Sequence, residues 1–212
     1  MKEFNTYFKD VISLVDNIEG DFVEFGFGYG KSAGIITDLM KSNSITKRKC
    51  WFYDSFKGLP DHHDKDHVVK LLKNGKEKII NDRKCMFKPK PKTYQLIDRL
   101  KNDPSLDIEF VEGWYQDTAE HHEGKVAVLH LDGDLYESYL YPLTHIYPLV
   151  VKGGVIIFDD YDKPKWPGCI EAVNEFFGDG IKDILTYKVP SGLGSDKDKT
   201  NLHYIRHYLI KK

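Results

Sequence analysis

The chain has 212 residues, which suffices for one domain with a sizeable core or for one domain with an elaborated loop. Its 31 lysine and arginine residues nearly balance 33 aspartate and glutamate residues, so the formal net charge of −2 offers no electrostatic case for nucleic acid. No apolar run approaches the roughly 18 residues that cross a bilayer, and charges are spread through the N-terminal residues. Three distant cysteines without a CxxC fit a reducing compartment, so we predict a cytoplasmic protein with no membrane partner.

The hydrophobic pattern predicts strands that alternate with helices. Apolar residues recur at helical spacing from Phe4 to Ile18, which predicts an amphipathic helix over 3–18 ended by Gly20. The predicted strands that follow are 21–28, 49–55, 108–114, 126–133, 155–160, 184–189 and 202–210. The predicted helices between them are 31–42, 93–100, a short helix after 114, 136–148 and 168–177. This order indicates an α/β fold with a mostly parallel sheet, in one domain over 1–212.

Residues 60–92 interrupt this alternation. The segment is polar, rich in lysine, histidine and aspartate, and contains the sequence KPKP. Such a composition is typical of loops, so we predict an excursion outside the central sheet with one short helix. A solvated lysine-rich surface is the simplest interpretation of its charge.

Acidic residues and glycines recur where the predicted strands end. Ligands of parallel α/β sheets bind beyond the carboxyl ends of the strands. The residues at five such ends are Glu24 with its glycines, Asp54, Gly113, Asp132 with Asp134, and Asp159 with Asp160. Their recurrence predicts a single site at this edge of the sheet.

The glycine loop, EFGFGYGKSA at residues 24–33, fits neither common phosphate motif. A P-loop would need glycine at Phe25, six residues before Lys31, and a GxGxxG fingerprint would need glycine at position 31. Asp54 lies about 20 residues further on and could accept hydrogen bonds from a ribose diol, or could cap the turn DSFKGLP. The combination suits an adenosyl ligand, and the acidic surroundings suit the sulfonium cation of S-adenosylmethionine (SAM).

Four segments together resemble the macrocin O-methyltransferase family. They are VEFGFGYGKSA, FYDSFKGLP, LHLDGDLYESYLYPLTHIYPLVVKGGVIIFDDY and GCIEAVNEFF, and the resemblance runs from about residue 21 to 178. Members methylate sugar hydroxyls in antibiotic biosynthesis, using SAM and a divalent metal. The resemblance implies a Rossmann-like class I methyltransferase fold with a seven-stranded, mostly parallel sheet, an antiparallel last strand and helices on both faces. It also implies a hydroxylated, sugar-like small-molecule substrate.

The resemblance also implies roles for individual residues. Mg²⁺ would bind Asp132, Asp159 and Asp160, and Asp134 would be the general base. SAM would contact Glu24, Gly26, Phe27, Gly28 and Ser32, with Asp54 on the ribose and with Ser55, Phe56, Gly113 and Trp114 around the adenine. Family members usually carry a longer N-terminal region that contributes to a lid and a homodimer contact, whereas about 20 residues precede the first predicted strand here.

The chemistry of the carboxylates agrees with these roles, because Mg²⁺ prefers oxygen ligands and makes a hydroxyl easier to deprotonate. The alternative is that these acids are helix caps and turn residues, since Asp134 precedes the predicted helix at Tyr136. Two rival functions also stand. A metal-dependent glycosyltransferase could use Asp-Gly-Asp as a DxD motif, although the preceding glycine loop and the second acidic pair disfavour it. A non-catalytic SAM- or sugar-binding protein would require a lost ligand or base, and none is lost.

Overall fold

The computed structural model describes residues 2–80, 83–188 and 205–212, with side chains from residue 5 onward. The helices are α1 (Lys2–Ile12), α2 (Lys31–Lys41), α3 (Pro91–Lys101), α4 (Tyr115–Thr118), α5 (Tyr136–His145) and α6 (Pro167–Phe177). The strands are β1 (Asp21–Phe25), β2 (Cys50–Asp54), β3 (Val69–Leu71), β4 (Glu77–Ile79), β5 (Ile108–Glu112), β6 (Val126–Leu131), β7 (Val150–Phe158), β8 (Leu185–Lys188) and β9 (Ile205–Ile210).

Seven strands form the central sheet in the order β5-β2-β1-β6-β7-β9-β8. The five strands from β5 to β7 pair in parallel, and β9 pairs antiparallel with both β7 and β8. Every residue of β6 is buried, as expected for a central strand covered on both faces. The mostly parallel sheet with an antiparallel last strand is therefore confirmed.

Two hydrophobic layers cover the sheet, one on each face. The first joins α1, α2 and α3 to alternate strand residues such as Phe22 and Val128. The second joins α5 and α6 to the residues between them, such as Val23 and Leu129. The period-2 alternation of the strands thus supplies both cores and leaves the carboxyl ends as the free edge.

Some predicted elements extend too far. The first helix is α-helical only to Ile12 and continues as a 3-10 turn over Ser13–Val15. The Arg48 guanidinium donates hydrogen bonds to the carbonyls of Val15, Ile18 and Gly20, at and beyond the end of that turn. Strands β6 and β7 end at Leu131 and Phe158, so the acidic pairs that follow lie in loops. Position 189 and positions 202–204, predicted as strand, lie outside the described residues.

The excursion over 60–92 lies outside the central sheet, as predicted, but contains a hairpin that the sequence did not indicate. Strands β3 and β4 pair antiparallel, and all six of their residues are exposed. Without a buried face there is no apolar alternation from which to predict them. A 3-10 turn over Asp64–Asp66 corresponds to the predicted short helix. Within the described part of the chain, no helix combines the length and apolar character needed to cross a membrane.

Candidate active site

A cavity of about 1010 Å³ opens at the carboxyl ends of β1, β2, β6 and β7. Its size is at the upper end of the roughly 300–1,000 Å³ of ordinary ligand pockets, so it offers room for more than one small molecule. The predicted site residues in its wall are Gly26, Phe27, Gly28, Ser32, Asp54, Ser55, Trp114, Asp132, Asp134, Asp159 and Asp160. Most of the site residues predicted from the sequence therefore line one cavity.

The glycine loop packs directly against the loop that follows β6. Gly26 has a φ of 108°, and a Cβ added there would lie 2.0 Å from the backbone oxygen of Asp132. The Asp132 N–H in turn donates to the Phe25 carbonyl at 2.9 Å. Only glycine fits position 26, since both its conformation and this close approach exclude a side chain.

Asp54 ties the glycine loop to the turn after β2. Its carboxylate accepts the Gly28 N–H at 2.8 Å and the Phe56 N–H at 2.7 Å. Burial raises the pKa of Asp54, while these amide hydrogen bonds oppose that shift. The hydrogen bond from Phe56 shows that Asp54 caps the turn, as one of the two predicted roles required. Asp54 also lies in the cavity wall, where it could contact a ribose.

Three predicted cofactor contacts lie outside the wall. Glu24 is fully buried beneath the loop, where it accepts the Ser32 hydroxyl at 2.9 Å and pairs with His130 Nδ1 at 2.9 Å. Phe56 packs on the Phe27 ring, and the Gly113 N–H donates to the Asp54 carbonyl at 3.0 Å. The alternation of side chains along β1 points Glu24 into the layer formed by α1, α2 and α3. Its link to the cavity is the hydrogen bond from Ser32, which lies in the cavity wall.

Asp132, Asp159 and Asp160 form one group, called here the acid cluster. One carboxylate oxygen from each lies within 4.8 Å of the others. Lys163 Nζ lies 2.9 Å from Asp159 and 3.1 Å from Asp160, and Arg206 Nε lies 3.9 Å from Asp159. The group holds three carboxylates against these two cations.

The pKa values within the acid cluster move in opposite directions. Burial, followed by the neighbouring carboxylates, raises the pKa of Asp132. Burial also favours a raised pKa at Asp159, but the Arg206 and Lys163 charges outweigh it and lower that pKa. Burial raises the pKa of Asp160 despite Lys163. Lys163 and Arg206 together stabilise the charge of Asp159 but do not compensate the whole cluster.

Asp134 stands beside the acid cluster in a left-handed backbone conformation, with a φ of 64°. Its N–H donates to Asp160 Oδ2 at 3.3 Å, and burial together with the Asp160 charge raises its pKa. The helix-cap alternative for Asp134 is wrong. Leu135 occupies the N-cap of α5, and the Tyr136 N–H donates to Asp66 Oδ1 at 2.7 Å.

Asp66 and Lys163 are the residues that sequence reasoning missed. Asp66 comes from the excursion and is buried against the start of α5, and a Cβ on Gly168 would collide with its carboxylate. Nothing local marks it, since its partner Tyr136 is 70 residues away. Lys163 had a signal, because it follows the acidic pair by three and four residues.

The fold identifies the class of protein. Two solved structures share this fold: the O-methyltransferase NovP, with a TM-score of 0.71, 25% identity and coverage of 99% of this chain and 80% of that one, and the calicheamicin methyltransferase CalS11, with a TM-score of 0.75, 21% identity and coverage of 97% and 77%. The chain therefore has the class I methyltransferase fold, as the sequence predicted.

The family follows from the sequence comparison. The profile described as macrocin-O-methyltransferase (TylF) matches residues 1–186, so the chain belongs to the macrocin O-methyltransferase family. A demethyldecarbamoylnovobiocin O-methyltransferase of Streptomyces niveus is 31% identical over 171 residues, 79% of this chain. An 8-demethyl-8-(2,3-dimethoxy-alpha-L-rhamnosyl)-tetracenomycin-C 4'-O-methyltransferase of Streptomyces olivaceus is 32% identical over 181 residues, 82% of this chain. The chain spans 61% and 64% of the length of these two curated relatives.

Proposed function

We propose that this chain transfers a methyl group from SAM to a hydroxyl of a sugar or of a glycosylated small molecule. The observation that carries the proposal is that the glycine loop with Asp54 and the acid cluster open into one cavity. Family membership and the O-methyltransferase names of the relatives support it. In the proposed reaction, the methyl group leaves the sulfonium for the acceptor oxygen, and S-adenosylhomocysteine is released.

The acid cluster fits a divalent cation such as Mg²⁺. It offers three carboxylate oxygens within 4.8 Å of one another, which is the hard donor set that Mg²⁺ prefers. Its negative charge exceeds what Lys163 and Arg206 supply. When bound, the cation would lower the pKa of an acceptor hydroxyl and orient it.

Asp134 is the proposed general base. It lies next to the acid cluster in the cavity wall, and no α5 cap role occupies it. A raised pKa makes its carboxylate a better proton acceptor, which is the property that a base near neutral pH needs. In the proposed reaction, the acceptor hydroxyl proton passes to Asp134 as the oxygen–methyl bond forms.

The acceptor should present two neighbouring oxygens. Asp132, Asp159 and Asp160 would hold the cation, which could also take oxygens of the substrate, and two oxygen contacts would fix an acceptor hydroxyl more firmly than one. Alignment of that oxygen with the sulfonium methyl group supplies much of the acceleration. Vicinal diols of sugars meet this requirement, whereas amines and isolated hydroxyls do not.

The test is transfer of a labelled methyl group from SAM to a panel of glycosides, with Mg²⁺ or with EDTA. We expect a methyl ether on vicinal-diol acceptors and loss of transfer in EDTA. Calorimetry with SAM and with UDP-sugars runs in parallel. Binding of UDP-sugars without SAM binding would favour the glycosyltransferase rival, and SAM binding without transfer to any acceptor would favour the non-catalytic one.

A further inference from the structure

Lysines of the excursion and of the turn after β2 line the exposed part of the same cavity. Lys57, Lys84 and Lys88, called here the rim lysines, are in its wall and are exposed. The proposed chemistry at the acid cluster gives them no role. Other lysines of the excursion, such as those of the β3–β4 hairpin, are outside the wall.

Backbone pairing brings the rim lysines to one edge. The Leu59 N–H donates to the Met86 carbonyl at 2.9 Å, and the Cys85 N–H donates to the Leu59 carbonyl at 2.9 Å. A Cβ on Gly58 would lie 2.5 Å from the Met86 carbonyl oxygen, so the two ends of the excursion are in tight contact. Each rim lysine is within two residues of this closure, which joins segments far apart in the sequence.

The charges of the cavity are segregated by depth. The carboxylates of the acid cluster, of Asp134 and of Asp54 are buried or half-buried, whereas the rim lysines are exposed. Two exposed carboxylates also face the cavity, Asp61 and Glu137, and Asp61 pairs with Lys84. The exposed rim of the cavity therefore carries more lysines than carboxylates, whereas its floor, formed by the buried and half-buried acids, is negative.

The proposed chemistry of a neutral hydroxyl requires the carboxylates of the floor, but a neutral group gains no charge interaction with the rim lysines. A charged group on the same molecule would be repelled by the floor if negative, and attracted by the rim at a distance from it. Lysine is a mobile point charge that binds phosphate well, and three of them match a phosphate better than a single carboxylate. The volume leaves space for such a group beside SAM.

We propose that the acceptor is a phosphorylated sugar, with its phosphate or diphosphate held by Lys57, Lys84 and Lys88. This rests on the proposed methyl transfer and narrows its substrate class. The phosphate would anchor the sugar from the rim while its diol reaches the acid cluster. The affinity should fall with added salt, because exposed charges are screened.

The experiment measures binding of inorganic pyrophosphate by calorimetry to protein saturated with S-adenosylhomocysteine, in EDTA. The variants are Lys57→Gln/Lys84→Gln/Lys88→Gln and the matched control Lys73→Gln/Lys76→Gln/Lys78→Gln, which removes the same charge from exposed hairpin positions of the excursion. We expect about tenfold weaker pyrophosphate binding in the rim variant, from three exposed ion pairs of modest strength, and wild-type affinity in the control.

Equal affinities in the two triple variants, or no binding to wild type, would overturn the inference. Tighter binding of malonate than of pyrophosphate would assign a carboxylate acceptor and overturn it too, as would an equal loss of S-adenosylhomocysteine affinity in the rim variant. Methyl transfer to neutral glycosides, with unchanged KM in the rim variant, would refute the phosphate while leaving the proposed function intact. Absence of transfer alongside specific pyrophosphate binding would refute the methyl transfer instead.

Discussion

The two halves of the cavity treat their carboxylates differently. In the glycine-loop half, Glu24 is matched by Ser32 and His130, and Asp54 accepts two backbone N–H groups. In the acid half, the acid cluster and Asp134 crowd one another, with Lys163 as the main compensating cation. Both carboxylates of the first half are hydrogen-bonded, and the second half holds excess negative charge.

This difference suggests separate tasks for the two halves: the glycine-loop half positions a cofactor, and the acid half binds a cation. Buried carboxylates with full hydrogen bonding hold a loop rigidly and need no ligand to remain stable. Buried carboxylates that face one another cost free energy unless a cation joins them. A rigid loop suits the binding of a cofactor in a fixed position. A group of carboxylates with excess negative charge suits the binding of a cation.

The largest expected effect is at Asp134. Asp134→Asn should lose turnover by roughly 10²–10⁴-fold, the usual contribution of a positioned base, while keeping metal and SAM affinity. Asparagine tolerates the same left-handed backbone. The control is Asp162→Asn, an exposed acid with a φ of 66°. Full turnover at saturating Mg²⁺ in Asp134→Asn would show that Asp134 is not the general base.

The glycine-loop half is tested at Asp54. Asp54→Ala should weaken SAM binding by about 1.5–3 kcal/mol, roughly tenfold to a hundredfold, because hydrogen bonds to a charged group are lost. Calorimetry without metal measures this, with the exposed Asp38→Ala on α2 as a control. Unchanged affinity in a folded Asp54→Ala protein would mean that the residue only holds the loop and the turn.

The excess negative charge of the acid half is tested at Lys163. Lys163→Met should lower the free energy of unfolding by about 1–2 kcal/mol in EDTA, since its two carboxylate partners lose their cation and the site is partly exposed. Mg²⁺ should restore most of the loss. The control, Lys165→Met, removes a lysine that lies over the Trp166 ring. A loss that Mg²⁺ does not reverse would assign Lys163 to packing.

The smallest effect concerns a buried histidine under β2. His122 accepts or donates a hydrogen bond with the Tyr53 hydroxyl at 2.8 Å, and burial lowers its pKa. The unfolded state then binds the proton more readily, so stability falls as the pH drops through the ordinary range of histidine near 6.5. Denaturant titrations of wild type and His122→Asn at several pH values should show a shallower slope in the variant. The exposed His121→Asn should keep the wild-type slope.

The gathering of the candidate site residues at one edge of the sheet could be predicted because its signals were local to strand ends. Asp132, Asp159 and Asp160 each follow an apolar run, and the carboxyl ends of parallel strands meet at one edge. The family resemblance placed Glu24 against SAM, and its side chain lies beneath the glycine loop against Ser32 and His130. That contact stays a prediction, because side chains alternate between the two faces along β1 and strand position alone does not fix which face a residue takes.

The remaining features depend on contacts between distant segments. Asp66 accepts from the start of α5 only because the excursion folds back across the sheet edge. The closure at Leu59 and Met86, which gathers the rim lysines, joins two stretches that have no shared periodicity. No window of sequence contains both partners of either contact, so neither could be predicted without the fold.

The most direct test is a calorimetric titration of Mg²⁺ into protein saturated with S-adenosylhomocysteine. We expect one ion per chain in wild type and in Asp134→Asn, and affinity at least tenfold weaker in Asp132→Asn, Asp159→Asn and Asp160→Asn. High Mg²⁺ should then partly recover the turnover of these three variants. Absence of Mg²⁺ binding to wild type, or wild-type affinity in Asp160→Asn, would contradict a metal role for the acid cluster.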